Sequence, residues 1–533
     1  SDGNASLSSV QGTDSNMGTA SGNNSWIRRC IFNGSVNYDR TFAEKHNVYG
    51  QLKYDYEYND QTGTNTTVYR HNISLFAHYG FANKYLLDVA LVESGSSRLA
   101  PGSKWAFSPN VSAAWNISNE SFMKDVKWVD FLKLRASFGN QSLDVLPGSN
   151  VWTYYDQFYL MNGTSYPFDA TYTGTQWGNT YLSTARTQSL GHERSTKFNV
   201  GIDATLFGSL NVSLDYFYQH RYDIWCSTAG SYNSVFGLGA PYENVGVVNS
   251  QGFEISADYS KKINSDLTIN VGASFTFNKN TIKEQAEAPQ LYANTASTGH
   301  CYGQAFGYVA NGFFQKSDDL NGDGIISAAE MQQNGYPVQS FTTVYPGDVK
   351  YVDLTGDKNI DANDRKAIGY STTAPDIYYN FHLGAEYKGI GLDAMFQGVG
   401  RWTGFMTTNG LYRSAVATNT LSQYLYENSW SAERGNTESA LFPRLSTTSN
   451  ANNDLNSTLN MFDRSYIKLR YVELYYHLPK SLLNKLSVIN NIKLYVRGTD
   501  LFTADHLDKA DAASYGVAQP LTRSVQLGAA LTF

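Results

Sequence analysis

The chain has 533 residues, a formal net charge of −7 and only 16% charged residues. It lacks the clustered Lys and Arg that a nucleic-acid surface needs, so no nucleic acid is expected as a partner. It also lacks any run of roughly 18 apolar residues, which excludes a transmembrane helix. The 39 Tyr, 28 Phe and only 12 Pro favour pleated strands over helices.

Residues 1–25 are small and polar and are predicted to be a polar extracellular loop or a disordered start. They have neither the basic start nor the apolar core of a signal peptide, so any export signal has been removed or belongs to sequence not present here. Cys30, Cys226 and Cys301 are far apart and odd in number. They indicate neither a disulfide framework nor a CxxC metal site.

From residue 26 onward, segments of alternating apolar and polar residues follow one another. In 267–277, Leu267, Ile269 and Val271 fall on one face and polar residues on the other. A length of about ten residues suits a tilted bilayer crossing by a barrel strand. Fifteen such segments are predicted, beginning near residues 26, 48, 68, 85, 104, 129, 197, 210, 246, 267, 377, 392, 462, 491 and 523. In 465–479 the apolar parity switches near Tyr471 and Val472, which predicts a β-bulge.

Short and long connections alternate between the predicted strands, as they do in outer-membrane barrels. Long extracellular loops are predicted at about 140–196, 220–245, 280–376 and 401–461 within a barrel region of 26–533. On this alternation the first and last strands both run toward the periplasm. Because an antiparallel barrel closes with an even number of strands, the chain is expected to begin in mid-barrel, with an odd number of strands supplied from elsewhere.

Soluble β-sandwiches, propellers and solenoids also consist of many short strands with turn signals. Against them stand the apolar faces of about ten residues, the alternation of connections, and a final strand whose apolar face ends in Phe533. The predicted fold class is therefore all-β, a transmembrane antiparallel β-barrel.

Several long blocks resemble, in order, the signature blocks of SusC-type (SusC/RagA-like) TonB-dependent transporters of the Bacteroidetes outer membrane. The upstream blocks are LKLRASFGNQS (132–142), STKFNVGIDATLF (195–207) and NVGVVNSQGFEISADY (244–259). The downstream blocks are PGDVKYVDLTGDKNIDANDRKAIG (346–369), YKGIGLDAMFQGVG (387–400), SYIKLRYVELYYHLPKSLL (465–483) and LYVRGTDLFT (494–503).

The resemblance implies a barrel of twenty-two strands filled by an N-terminal plug, of which this chain looks like the C-terminal fifteen or so. It also implies import of oligosaccharides or peptides, a SusD-like surface lipoprotein as partner, and energy passed through TonB. Further expected partners are the plug and first barrel strands of the same transporter, and outer-membrane lipid. TonB would be contacted by an N-terminal region that residues 1–533 do not contain.

Two stretches in the predicted 280–376 loop have the oxygen-rich spacing of calcium loops. In DLNGDGIISAAE (319–330) the expected ligands are Asp319, Asn321, Asp323, Ser327 and Glu330, with the carbonyl of Ile325. In DLTGDKNIDAND (353–364) they are Asp353, Thr355, Asp357, Asp361 and Asp364, with the carbonyl of Asn359. The second departs from the pattern, with Lys358 in place of Gly and a shorter final Asp. Structural Ca²⁺ is the expected cofactor, and metal-free turns of the same residues are the alternative.

Catalytic motifs such as HExxH and GxSxG are missing from the sequence, so the chain is not expected to be an enzyme. Aromatic residues in the predicted loops could stack on sugar rings or contact peptides. The candidates are Trp152, Tyr154, Tyr155, Trp177, Trp402 and Trp430. A place in an interfacial girdle or packing against a partner lipoprotein is the alternative, and it is preferred to ligand contact for any single one of them.

Two functional classes remain open from the sequence. The first is the energised importer that the resemblance implies. The second is a passive porin, or a structural or adhesive outer-membrane barrel, which needs neither plug nor TonB. Outer-membrane localisation in a Gram-negative bacterium is expected for both.

Overall fold

The computed structural model describes residues 25–62, 67–144, 157–166, 177–184, 187, 191–230, 235, 237, 239–414, 420–483, 489–515 and 521–533. Of residues 1–25, which are predicted to be a loop or disordered start, only Ser25 is among these. The described residues include three short helices, α1 (Ala328–Gln333), α2 (Gln423–Asn428) and α3 (Lys480–Leu483). None of the described helices is long and apolar enough to cross a membrane.

Strands dominate the structure. In chain order they are β1 (Ile27–Phe42), β2 (His46–Gln61), β3 (Val68–Phe81), β4 (Tyr85–Ser96), β5 (Trp105–Asn116), β6 (Val129–Leu143), β7 (Gln157–Tyr166), β8 (Trp177–Thr184), β9 (Glu193–Leu206), β10 (Leu210–Ser227), β11 (Tyr242–Lys262), β12 (Leu267–Glu284), β13 (Gln304–Gly307), β14 (Ala310–Phe313), β15 (Val338–Gln339), β16 (Val349–Tyr351), β17 (Asn359–Ile360), β18 (Lys366–Ser371), β19 (Ile377–Tyr387), β20 (Ile390–Gly400), β21 (Thr403–Phe405), β22 (Met461–Asp463), β23 (Tyr466–His477), β24 (Asn491–Asp505) and β25 (Ser524–Thr532).

Fifteen of these strands form one large antiparallel sheet. Its order is β1-β2-β3-β4-β5-β6-β9-β10-β11-β12-β19-β20-β23-β24-β25, so every strand pairs with its neighbours in chain order. Each of the fifteen predicted segments corresponds to one of these strands, with starts that agree to within a few residues. The predicted all-β antiparallel barrel wall is thus confirmed.

One face of the sheet carries a continuous apolar band. Cross-strand pairs join Leu134 to Ile202, Ile202 to Leu214, Leu214 to Ile255 and Ile255 to Phe275. These large side chains are not covered by other protein: Ile202 is 41% exposed and Leu214 is 42% exposed. A band of exposed apolar side chains at alternate positions across several strands is the surface that a barrel presents to lipid.

The other face is polar. Arg135 lies next to Leu134 and therefore points to the opposite side. Its guanidinium donates to Asp203 at 2.9 Å and to Asp215 at 2.6 Å. Such a cluster would be costly in hydrocarbon but is readily solvated in a wet lumen, so this face lines the inside of the barrel.

The predicted bulge lies at Arg470 in β23. Tyr471 pairs with Met395 and Leu469 with Phe396, which leaves Arg470 without a partner in the ladder. Its side chain donates to Gln397 at 2.6 Å and to Asp500 at 3.0 Å. The extra residue reverses which side chains face lipid, which explains the parity switch in the sequence.

The longest connections all lie at one edge of the sheet, although 62–67 and 97–104 at that edge are short. The short-connection edge contains 43–45, 82–84, 117–128, 207–209, 263–266, 388–389 and 478–490. The long-connection edge contains 62–67, 97–104, 144–192, 228–241, 285–376, 401–465 and 506–523.

Strand ends differ from the predicted loop limits. β10 continues to Ser227 and β11 begins at Tyr242, so 220–245 is too wide for that loop. β12 likewise continues to Glu284, and the region predicted as loop at 140–196 contains the β7–β8 hairpin. At the other long loop, β23 begins at Tyr466, four residues later than predicted. Strand pairing satisfies backbone groups in water as well as in lipid, so β10, β11 and β12 continue beyond the length that a bilayer requires.

Segment 285–376 and the described parts of segment 401–465, which are 401–414 and 420–465, fold together into a unit that we call the loop lobe. One of its cores joins Tyr308, Phe313, Val349 and Tyr351 of the first segment to Trp430 of the second. The lobe also contains two-stranded pairings β13–β18, β14–β16 and β21–β22. The long connections therefore form a packed domain at one edge of the barrel wall.

Candidate functional site

The buried carboxylate of Asp348 joins the two segments of the loop lobe. Asp348 is 0% exposed. Its Oδ1 accepts hydrogen bonds from Arg444 Nε at 2.7 Å, Asn453 Nδ2 at 2.8 Å and Asn450 Nδ2 at 3.0 Å. Its Oδ2 accepts from the Tyr345 amide at 3.0 Å. A buried carboxylate that accepts this many hydrogen bonds fixes the geometry of the groups around it.

A second buried layer lies beside this carboxylate. Gln339 donates through Nε2 to the Val349 carbonyl at 2.9 Å and to Asn452 Oδ1 at 2.8 Å, and its Oε1 accepts from the Tyr351 amide at 2.8 Å. The Tyr351 hydroxyl donates to the Asn452 carbonyl at 2.6 Å. The Asn-rich stretch 450–453 thus packs inside the lobe, where sequence reasoning assigned no role to it.

The first calcium-type loop, 319–330, is ordered by hydrogen bonds from its own backbone. Asp319 accepts from the amides of Gly322 and Gly324, each at 2.8 Å. Both glycines have positive φ, +75° and +84°, which lets the chain turn tightly around the carboxylate. Asp323 Oδ1 accepts from the Ile325 amide at 2.8 Å.

Glu330 closes this loop and also caps helix α1. Its Oε1 accepts from the amides of Leu320 and Asn321 at 2.9 and 3.1 Å. Its Oε2 accepts from the Ser327 amide at 2.8 Å and hydroxyl at 2.7 Å. The hydrogen bonds from Ser327, together with those from Asn321 and Leu320, lower the pKa of Glu330 to about 2.

The second loop, 353–364, repeats this arrangement. Asp353 accepts from the Gly356 amide at 2.7 Å and from the Lys358 amide at 2.8 Å. Asp364, which is 0% exposed, accepts from the amides of Leu354 at 2.8 Å and Asp361 at 2.9 Å, as Glu330 does in the first loop. Lys358 adopts a φ of +65° where the first loop has a glycine, so the departure from the pattern leaves the turn intact.

The oxygens of these loops suit a hard cation, but their arrangement is already satisfied by backbone amides. Asp319, Asn321 and Asp323 carry the oxygen chemistry that Ca²⁺ prefers. Both oxygens of Glu330, in contrast, accept hydrogen bonds that a cation would have to replace. Among the residues that the structure describes, no three His, Cys, Asp or Glu side chains converge as a metal site.

The pKa of Glu330 gives a prediction for Glu330→Gln. Because this pKa is about 2 in the folded loop against 4.5 ordinarily, the carboxylate stabilises the loop fully above pH 4.5 and loses that effect as the pH falls through about 2. We expect faster amide exchange of Leu320, Asn321 and Ser327 in the variant at neutral pH. The difference from wild type should shrink below pH 4.5. A constant difference down to pH 2 would contradict this, and exposed Glu438→Gln is the control.

The aromatic candidates differ in where they lie. Trp430 is 8% exposed and packs in the core that joins the two segments of the lobe. The Arg464 guanidinium lies 3.8 Å from the ring centroid of Trp402. Both therefore contribute to packing in the lobe, and the ring of Trp430 is not open to a ligand. Trp177 begins β8, and Trp152, Tyr154 and Tyr155 lie outside the described residues.

The chain matches the family model described as TonB dependent receptor-like, beta-barrel, over residues 2–344. It is 25% identical over 455 residues to TonB-dependent receptor P3 of Formosa agariphila, covering 82% of this chain and 42% of that protein. It is 24% identical over 363 residues to TonB-dependent receptor SusC of Bacteroides thetaiotaomicron, covering 64% of this chain and 32% of that protein. The chain spans less than half the length of these relatives.

A solved structure of the RagAB peptide transporter has the same fold, with a TM-score of 0.73 and 18% identity over 96% of this chain and 56% of that one. The expectation that the chain is not an enzyme agrees with the description of the relatives as receptors. The apolar band and this family together place the chain in the outer membrane. The resemblance predicted from the sequence blocks is confirmed, and the chain belongs to the TonB dependent receptor-like β-barrel family.

Proposed function

We propose that this chain is the C-terminal portion of the barrel wall of a SusC-like importer. It moves oligosaccharides or peptides across the outer membrane with energy passed through TonB, and a SusD-like surface lipoprotein is its partner. The plug, the remaining strands and the TonB contact belong to other parts of the same transporter.

The observation that carries this proposal is the asymmetry of the two sheet edges. A lobe built from two long connections, with its own buried core, stands over one edge, while turns as short as 388–389 close the other. A passive pore needs only a wall, whereas a packed lobe provides a fixed surface for a lipoprotein and a substrate. Membership in the TonB-dependent family favours the energised class over the porin or adhesive alternative.

Affinity purification of the full-length transporter from its own membrane tests the partner and substrate. We expect mass spectrometry to find a surface lipoprotein in near-equal amount, together with bound oligosaccharide or peptide. A barrel that purifies alone and empty would favour the porin or structural alternative.

We also propose that Ca²⁺ binds the 319–330 loop and rigidifies the lobe. The support is the set of alternating oxygen ligands around a preformed turn, held by Asp319 and the positive-φ glycines. Glu330 would exchange its hydrogen bonds to Leu320 and Asn321 for the cation.

Calorimetry of Ca²⁺ binding to the intact protein tests this site. We expect the heat of the tightest phase to disappear in an Asp319→Ala, Glu330→Ala double variant, because two carboxylate ligands are removed. Exposed Glu433→Ala, in the same lobe, is the control. Equal heats from wild type and double variant would show that the 319–330 loop does not bind Ca²⁺.

A further inference from the structure

A row of aromatic rings continues the apolar band at the short-connection edge of the wall. Trp115 pairs with Leu134 of the apolar band. Tyr85 pairs in turn with Trp115 and with Phe81. Cross-strand partners share a face of the sheet, so all three rings lie on the lipid side. Aromatic residues in this position form the girdle that a barrel places at the membrane–water interface, so the short-connection edge lies at the surface of the bilayer.

Connection 117–128 is fixed to this aromatic row by Glu120. The Glu120 carboxylate accepts from the Tyr85 hydroxyl at 2.7 Å and from Trp115 Nε1 at 3.1 Å. Because both rings lie on the lipid side, the part of the connection around Glu120 also stands on the lipid side of the wall. Lys84 Nζ donates to the same carboxylate at 2.8 Å, so the charge of Glu120 is compensated.

The residues that follow in this connection combine exposed apolar rings with exposed lysines. Phe122 is 62% exposed and Trp128 is 54% exposed. Lys124 and Lys127 are also exposed, and neither forms an ion pair with an acidic residue in the part of the chain that the structure describes. Asp125 balances only one of their two charges. Large apolar side chains together with unpaired lysines are typical of a segment that lies in a membrane interface.

The adjoining turn, 207–209, presents another exposed ring at the same place. Trp128 and Phe207 are stacked, with their ring centroids 6.0 Å apart, and Phe207 is 62% exposed. Phe207 and Gly208 both have positive φ, +55° and +62°. A two-residue turn of this kind favours Asn, Asp or Gly at its first central position, so a phenylalanine there is unfavourable in water. The two stacked rings gain free energy when they enter the apolar part of a membrane interface.

The charge of the two edges selects the kind of lipid. The short-edge connections contain seven Lys against four Asp and Glu, whereas connection 285–376 at the other edge contains eleven Asp and Glu against five Lys and Arg. The short-connection edge is therefore positive, although the whole chain has a net charge of −7. Lysines at a bilayer surface attract anionic head groups. A zwitterionic phospholipid has no net charge, so an anionic phospholipid is the better partner.

We propose that connection 117–128 is a binding site for anionic phospholipid at the short-connection edge. Lys124 and Lys127 bind the head-group phosphates, and the exposed rings of the same segment lie against the upper parts of the acyl chains. Glu120 holds the segment on the girdle, and its own charge does not repel the lipid because it is compensated. This lipid site is separate from the proposed import function and does not depend on it.

The test is native mass spectrometry of the purified full-length transporter, titrated in detergent with phosphatidylglycerol and, separately, with phosphatidylethanolamine. We expect phosphatidylglycerol to bind more tightly than phosphatidylethanolamine. Its affinity should fall about fivefold in Lys124→Gln and about fivefold in Lys127→Gln, the factor that one lysine contributes at an anionic lipid surface. Lys366→Gln removes the same charge from an exposed position in the loop lobe and should bind as wild type does.

Equal affinity of the wild-type protein for the two lipids would overturn the selection of an anionic head group. Unchanged phosphatidylglycerol affinity in both variants, or an equal loss in Lys366→Gln, would overturn the site. Lys124 and Lys127 are exposed, so the variants should fold as wild type does, and heat-modifiable migration in SDS checks this.

Discussion

Asp348→Ala is expected to open the loop lobe while the barrel wall stays folded. The substitution removes the acceptor for Arg444, Asn450 and Asn453 and leaves a guanidinium without its counter-charge in a largely buried place. Breaking a buried ion pair from one side typically costs about 3–5 kcal/mol. Hydrogen exchange of the full-length protein should show lost protection in 285–376 and 401–465, with the barrel strands unchanged.

Glu433→Ala is the matched control, because this residue is exposed in the same lobe. Its exchange pattern should equal that of wild type. If Asp348→Ala also left the lobe fully protected, the two segments would be held together by their apolar cores alone. The role that we give to the buried carboxylate would then be wrong.

Ile255→Arg is expected to prevent most of the protein from folding into a bilayer. Ile255 lies in the apolar band between Leu214 and Phe275 and is 40% exposed. An arginine on the lipid face of a barrel near the bilayer midplane costs about 2–4 kcal/mol. A urea titration of the full-length barrel in lipid vesicles should show this loss, with heat-modifiable migration in SDS reporting the folded fraction.

Ser256→Arg controls for this substitution, because the next residue along β11 points to the polar face. It should cost far less, since an arginine there can stay hydrated. Equal destabilisation by the two variants would mean that the apolar band does not face lipid.

The alternation of apolar residues was sufficient to predict the barrel wall and even the bulge in β23. The barrel wall and the bulge are both encoded by residues that are close in sequence. A bulge shifts the alternation of apolar and polar residues in the strand that contains it. The β7–β8 hairpin was missed because its region was treated only as a connection. Strand ends were also misplaced, since pairing continues beyond the length that a bilayer requires.

The Asp348 network could not be predicted in this way. Asp348, Arg444 and Asn450 are brought together by the fold of the lobe, and nothing in the local pattern of any of them indicates the others. The burial of Trp430 has the same origin: its ring packs over Gly347, where a Cβ would come within 2.4 Å of it. From the sequence, a place in an interfacial girdle or packing against a partner was preferred for this tryptophan, and its burial inside the lobe was not predicted.

In the loop 319–330 the same residues are compatible with two chemical roles. Ser327 and Glu330 occupy calcium-loop positions 9 and 12, and they also form the S-x-x-E capping box of α1. The structure shows the capping role directly. The proposed Ca²⁺ binding would release the Leu320 and Asn321 amides, which now donate to Glu330.

Uptake by whole cells tests the central claim most directly. Cells expressing the full-length transporter would be given labelled oligosaccharides and, separately, labelled peptides, with TonB intact and with TonB deleted, and accumulation would be compared. Energised import predicts accumulation only when TonB is present. Equal accumulation in both strains would show that substrate passes without TonB. The protein would then be a passive pore and not an energised importer.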